Sequence, residues 1–302
     1  MQSSGHMREN LQGSLFMVVA MAGFAVNDAI VKSVGNTLNL GQTLMLRGLF
    51  ASVLIFGLAR LFGHWRSPRI LLHPRILLRT LGEMIATACF VTAIFNMPIG
   101  NATAILQALP LALTAAAALF LREPVGWRRL AAIVIGFAGV MIIIRPGMEG
   151  FTIHSVLVLI AVGGCIIRDL TTRTLPREIP GLMITLTTSL AVALMGAAIA
   201  LSEAWNPIGA VEWGKLAAAS LFLIVGYYFV ISAMRVGDIG FVSPFRYTIL
   251  IFAMIAGFFV FGERPDLLTL LGSAIIVATG VYTLYRERVV HRQSITPPPN
   301  RS

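Results

Sequence analysis

The chain has 302 residues, 57% of them hydrophobic and only 12% charged, with a net charge of +10. A soluble domain carries about a quarter charged residues, and here the deficit runs from end to end, which excludes an ordinary water-soluble fold. The positive charge would point to nucleic acid in a soluble protein, but in so apolar a chain its placement bears on membrane orientation, and no nucleic-acid partner is expected.

Apolar runs of about 20 residues recur, the length a helix needs to cross hydrocarbon. Residues 1–10, opening MQSSGHM, read as a tag remnant and tail. Ten spans follow at 13–33, 41–61, 76–95, 101–121, 127–145, 153–173, 180–201, 213–234, 240–261 and 267–285. The loops between them are short and rich in Gly, Pro and Asn, as tight helix connections require. Residues 288–302 are polar and Pro-rich and predict a disordered tail. The fold class is an all-α membrane protein with ten transmembrane helices.

If the N-terminus is cytoplasmic, nearly every Arg falls in a cytoplasmic loop or tail. Lys32, Arg145, Lys215 and Arg264 fall on the other side, and Arg47 and Arg246 lie within spans. The positive-inside rule then puts both termini in the cytoplasm.

The first span ends FAVNDAIVK (24–32), and the sixth repeats the pattern 141 residues later: Asp28 matches Asp169 and Lys32 matches Arg173. IGNATAILQ from Ile99 matches IGFVSPFRY from Ile239, FLREP (120–124) matches FGERP (261–265), and FAGVMII (137–143) matches ATGVYTL (278–284). The chain thus reads as two repeats, 11–147 and 152–287. Five spans is an odd number, so the second repeat should be inverted, an architecture of secondary transporters with the site between the halves.

These residues carry a resemblance. The paired FLREP and FGERP, the late Gly139-Val140 and Gly280-Val281, NDAIVK and LRGLFA (46–51) are similar to the drug/metabolite transporter superfamily, specifically its ten-helix EamA-type members. The resemblance implies alternating-access transport of small organic metabolites across a bacterial inner membrane. Among such members it favours amino-acid exporters, including aromatic ones. Uptake of a vitamin or nucleotide-like compound, such as riboflavin or S-adenosylmethionine, is the alternative. A monomer in lipid, with a small-molecule substrate and no cofactor or metal, is implied.

Intramembrane charge is costly and marks interior or wet faces. Asp28 with Lys32, and Asp169 with Arg173, stand four apart on a helix face and predict intrahelical pairs at the membrane edge or a gate. Arg47 lies roughly 9 Å inside its helix boundary, with Asp28 as a partner or a substrate in its place. Glu83 and Arg246 share a depth in opposite repeats and predict an ion pair across the cavity, with Arg246 the foremost substrate-facing residue. Tyr247 follows it, and Gln107 stands at the matching position of span 4. Of Tyr227 and Tyr228, one should face the cavity. Asn96 and Asn101 should cap the turn between spans 3 and 4. Glu83 is the first candidate for proton coupling, with Asp28 and Asp169 behind it. The small residues of spans 5 and 10 mark scaffold helices. The two cysteines, Cys89 and Cys165, have no metal spacing. His64, His73, His154 and His291 lie at loops or ends, which offers no catalytic constellation for an enzyme.

Overall fold

A computed structural model of the chain describes residues 2–62, 73–120, 126–147, 151–176 and 179–295. Among them it is all helix and turn. Ten helical segments are long and apolar enough to cross a membrane. They are α1 (Gln2–Val34), α2 (Leu40–Leu61), α3 (Pro74–Asn96), α4 with α5 (Ile99–Leu106 and Leu109–Phe120), α6 (Trp127–Ile144), α7 (Ile153–Arg173), α8 (Gly181–Ala200), α9 (Ala210–Val236), α10 with α11 (Ile239–Val242 and Thr248–Phe261) and α12 (Leu267–Ile295).

Every expected span has its helix. The tails differ from expectation. α1 begins at Gln2 inside the expected tail 1–10, and α12 runs to Ile295, inside the stretch expected to be disordered. Both extensions hold Arg, Glu and Gln, which are good helix formers, so helices continue past their apolar segments. The FLREP motif lies mostly outside the described residues.

Two spans are broken within their apolar runs. Span 4 loses its helix at Gln107 and Ala108, just before Pro110, which has no N–H to give to Leu106. Span 9 passes through a 3₁₀ segment, Ser243–Tyr247, that contains Pro244. Uniform hydropathy predicted two continuous helices here. Irregular backbone within a membrane span survives only where protein covers it or a cavity solvates it.

The helices pair across the two halves of the chain: α1 with α9, α2 with α8, α3 with α7, α6 with α12, and span 4 with span 9. Exchanging each span for the one five later maps this set of pairs onto itself. Glycine lies at four of the crossings. A Cβ on Gly82 would stand 2.7 Å from the Gly164 carbonyl oxygen, and one on Gly164 would stand 2.6 Å from that of Gly82. Gly139 and Gly272 meet in the same reciprocal way, at 3.0 and 2.6 Å. A Cβ on Gly23 would come 3.4 Å from the Gly226 nitrogen, and one on Gly41 2.8 Å from the Gly196 carbonyl oxygen. In lipid the drive to pack comes from close van der Waals contact, which small residues permit.

One end of the bundle carries both termini. The other, called here the far end, is laced by polar contacts between loops. The Gln42 amide donates to the Asn206 carbonyl at 2.9 Å, and Asn39 donates to the Ala204 carbonyl. Arg145, at a left-handed φ of 52° after α6, pairs with Asp266. Asp266 also accepts the Thr269 N–H at the start of α12. The Arg145 guanidinium holds the Asp266 carboxyl down at about 2. This tie is therefore intact above the usual carboxylate range and is lost as pH falls towards 2.

Substitution at the glycine crossings tests the packing directly. Gly164→Ala should lower the stability of the detergent-purified protein by about 1–3 kcal/mol through overpacking. Gly163→Ala, with nothing within 4 Å of the added Cβ, should be neutral or slightly stabilising. Equal melting temperatures for the two variants would contradict the close approach.

Candidate functional site

A cavity of about 440 Å³ lies between the halves and reaches the broken stretches of both span 4 and span 9. Gln107 and Arg246, one from each break, line it, and the Gln107 amide is 3.5 Å from the Arg246 carbonyl oxygen. The cavity extends from Asn27 and Asp28 on α1 towards Arg129 and Leu284, near the termini end.

Of the site residues expected from sequence, eight line this one cavity: Asp28, Arg47, Glu83, Gln107, Asp169, Tyr227, Arg246 and Tyr247. Lys32 does not. The side chain of Arg173 lies outside what the structure describes. Tyr228, next to Tyr227, is 65% exposed on the outer surface. Tyr247 is buried, and its hydroxyl packs against Gly280 of α12, where any side chain would collide with it.

The expected partners are not the observed ones. Asp28 does not pair with Lys32: its carboxylate accepts from the amide of Asn27 at 2.7 Å. Asp169 repeats the arrangement, accepting from Arg168 Nε at 2.7 Å. Asn27 and Arg168 occupy matching positions of the two repeats, so the repeated device is an aspartate held by the residue before it. Lys32, one turn beyond Asp28, reaches past the cavity to Glu263.

Glu83 does not pair with Arg246 either. It accepts from Arg168 at 3.0 Å. The Gly82–Gly164 crossing explains this, because it brings α3 to 2.8 Å from the Arg168 backbone nitrogen, measured from a Cβ built on Gly82. Glu83 lies one residue on and meets the Arg168 side chain. Arg168 thus holds two carboxylates, one from each half of the chain. Position alone made Arg168 a loop-facing charge near the end of span 6. Its match to Asn27, beside a matched aspartate, was the signal for its role.

Arg47 and Arg246 make no ion pair among the described residues. Asp28 attracts Arg47 across the cavity without reaching contact distance. Arg246 is exposed into the cavity although it lies deep in the bundle.

Beyond the cavity, at the far end, a compact cluster ties α1, the loop after α11 and the start of α4. Lys32 Nζ lies 2.7 Å from Glu263 and donates to the Met97 carbonyl at 2.6 Å. The other Glu263 oxygen accepts the Ile99 N–H at 2.9 Å. Glu263, from the loop after α11, therefore caps α4, where Asn96 or Asn101 was expected. Asn96 instead donates back to the Thr92 carbonyl of its own helix.

Residues 11–145 and 155–286 match the model of the EamA-like transporter family. The chain belongs to that family. Several curated transporters are similar to it along nearly their whole length. An S-adenosylmethionine uptake transporter of Rickettsia conorii is 24% identical, over 92% of this chain and 94% of the relative. A riboflavin transporter of Vibrio cholerae is 29% identical, over 88% and 91%. A pseudopaline exporter of Pseudomonas aeruginosa is 26% identical, over 88% and 93%. A solved crystal structure superposes with a TM-score of 0.59 at 17% identity, over 92% of this chain and 98% of that one, a likeness of fold alone. This EamA-like protein is thus a multi-pass membrane transporter, and the cavity is where its substrate path is to be sought.

The partner assignment is testable by double-mutant cycles on thermal unfolding. Glu83→Ala should cost about 1–3 kcal/mol by leaving Arg168 short of a charged acceptor. Glu83 and Arg168 substitutions should be strongly non-additive, whereas Glu83 and Arg246 substitutions should add within about 0.5 kcal/mol. The reverse pattern would restore the cross-cavity pair expected from sequence.

Proposed function

We propose that this EamA-like protein is a secondary transporter in which two inverted five-helix halves, 11–147 and 152–287, alternately open the central cavity to either side of a bacterial inner membrane. The observation that carries the reading is the cavity itself, bounded by breaks in spans 4 and 9. Discontinuous helices facing each other near mid-membrane are the construction of transporter substrate sites. The set of helix pairs that maps onto itself when the halves are exchanged supports the internal symmetry. The charge distribution supports cytoplasmic termini.

On this reading the far end is the outer side, and the Lys32–Glu263–Ile99 cluster closes it. The cargo is a small organic metabolite, and a single chain lines the path, so a monomer suffices. Export of amino acids, aromatic ones included, is the first assignment: Phe24, Phe90 and Tyr227 share the cavity with the charged groups. Uptake of a compound such as S-adenosylmethionine or riboflavin is the second, favoured by the names of the relatives.

Proteoliposome counterflow separates these. The panel holds aromatic and aliphatic amino acids, riboflavin and S-adenosylmethionine. Saturable exchange of an amino acid, lost in Arg246→Ala, is the expected result. Exchange of riboflavin or S-adenosylmethionine alone would move the assignment to the second reading. Steady, unsaturable flux would argue for a channel.

The closure has its own test. In a Cys89→Ser, Cys165→Ser background, Gln107→Cys reports access from the far side through a membrane-impermeant thiol reagent. Adding Glu263→Gln, which keeps an acceptor for Ile99 but removes the charge facing Lys32, should speed that labelling. Unchanged labelling would mean that the cluster is not a latch.

A further inference from the structure

The cavity's charges do not balance. Its lining carries three carboxylates, Asp28, Glu83 and Asp169, against four guanidinium groups, those of Arg47, Arg129, Arg168 and Arg246. Arg168 takes two of the carboxylates, Glu83 at 3.0 Å and Asp169 at 2.7 Å. Asp28 is held by Asn27 and faces Arg47. Among the described residues no carboxylate pairs with Arg246. Asp169, already engaged, attracts it from a distance and Arg168 repels it.

Charges placed inside a membrane protein are paired or face a wet path. Arg246 is placed for a path. It sits on the 3₁₀ break, its backbone carbonyl is the acceptor facing Gln107, and its side chain is open to the cavity. A guanidinium offers a planar fork that fits a carboxylate through two parallel hydrogen bonds. The same cavity is lined by Phe24, Phe90, Leu113 and Ile249, with Phe24 against Tyr227 edge to face at 5.3 Å.

We infer that Arg246 receives a carboxylate of the transported molecule, so that this cavity selects substrates bearing that anionic group beside an apolar or aromatic body. The inference rests on the transporter reading and deepens it. The uncompensated guanidinium supplies the selectivity. The aromatic wall supplies bulk contact and accepts several body shapes. An amide or amine of the same shape lacks the matching charge and leaves Arg246 unpaired.

The test uses the purified full-length protein and ligands matched in shape: phenylalanine, phenylacetate, phenylalanine amide and phenethylamine. Tryptophan and its amide extend the series, and riboflavin serves as a large ligand without a carboxylate. Binding is read from the ligand-dependent rise in melting temperature, and exchange from competition in counterflow. The expected result is that the carboxylates bind at least about tenfold more tightly than the amide and amine partners. Arg246→Gln should erase that preference. Arg246→Lys should keep part of it, which a merely structural role of the residue would not produce. The inference is overturned if amides or amines match the acids. It is overturned equally if no carboxylate shifts the melting temperature up to its solubility limit, or if Arg246→Gln leaves the preference intact. Saturable counterflow in any of those cases would leave the transporter reading standing. Absence of saturable exchange together with carboxylate-selective binding would instead leave Arg246 as an anion site and remove the assignment of these carboxylates as cargo.

Discussion

The structure depends on backbone meeting backbone at glycine. Helices in lipid gain little by hiding apolar side chains from one another, since the acyl chains are equally apolar. They gain by approaching closely, and Gly82 against Gly164 and Gly139 against Gly272 permit this where any Cβ would intrude on a carbonyl oxygen. These contacts join the first five spans to the last five. They also set the register of the polar groups, since Glu83 reaches Arg168 only because the glycine beside it lets α3 lie against α7.

A second constraint follows from the first. Close contacts at the paired crossings leave spans 4 and 9 to face each other with broken backbones between them. Exposed peptide groups cannot face lipid, so the breaks belong around a polar space. The charged side chains gather at the same place. Glu83, Arg168 and Asp169 satisfy one another, while Arg246 pairs with no acidic group among the described residues. The site is therefore asymmetric despite the repeat: Leu106 occupies the place in span 4 that Arg246 holds in span 9.

Much of this was legible in the sequence. The spans appear as uniform apolar runs because the membrane imposes one length on all of them. The cavity residues appear because a charge within such a run needs an interior reason, as Asp28, Arg47, Glu83 and Arg246 each show. Pairing was harder to read. Helical spacing suggested Asp28 with Lys32, but a four-residue separation fixes only a shared face. Lys32 has the longer side chain and leaves that face to reach Glu263, which is over two hundred residues away in sequence. The pairing of Glu83 with Arg168 depended on which helices cross, and hydropathy is silent on that. Pro110 and Pro244 did mark the breaks, but in a membrane helix a proline alone is often tolerated.

Glu263 contacts two things at once, the Lys32 ammonium and the first N–H of α4. α4 is only eight residues long, a rod of about 12 Å, and the Gln107 amide at its other end faces the Arg246 carbonyl. The Glu263 cluster and the cavity therefore stand at the two ends of one strut. In the transport cycle proposed above, a shift of Gln107 is passed along this strut to Ile99 and its Glu263 cap. In that cycle the broken span is a short lever, with the ligand space at one end and the Glu263 contact at the other.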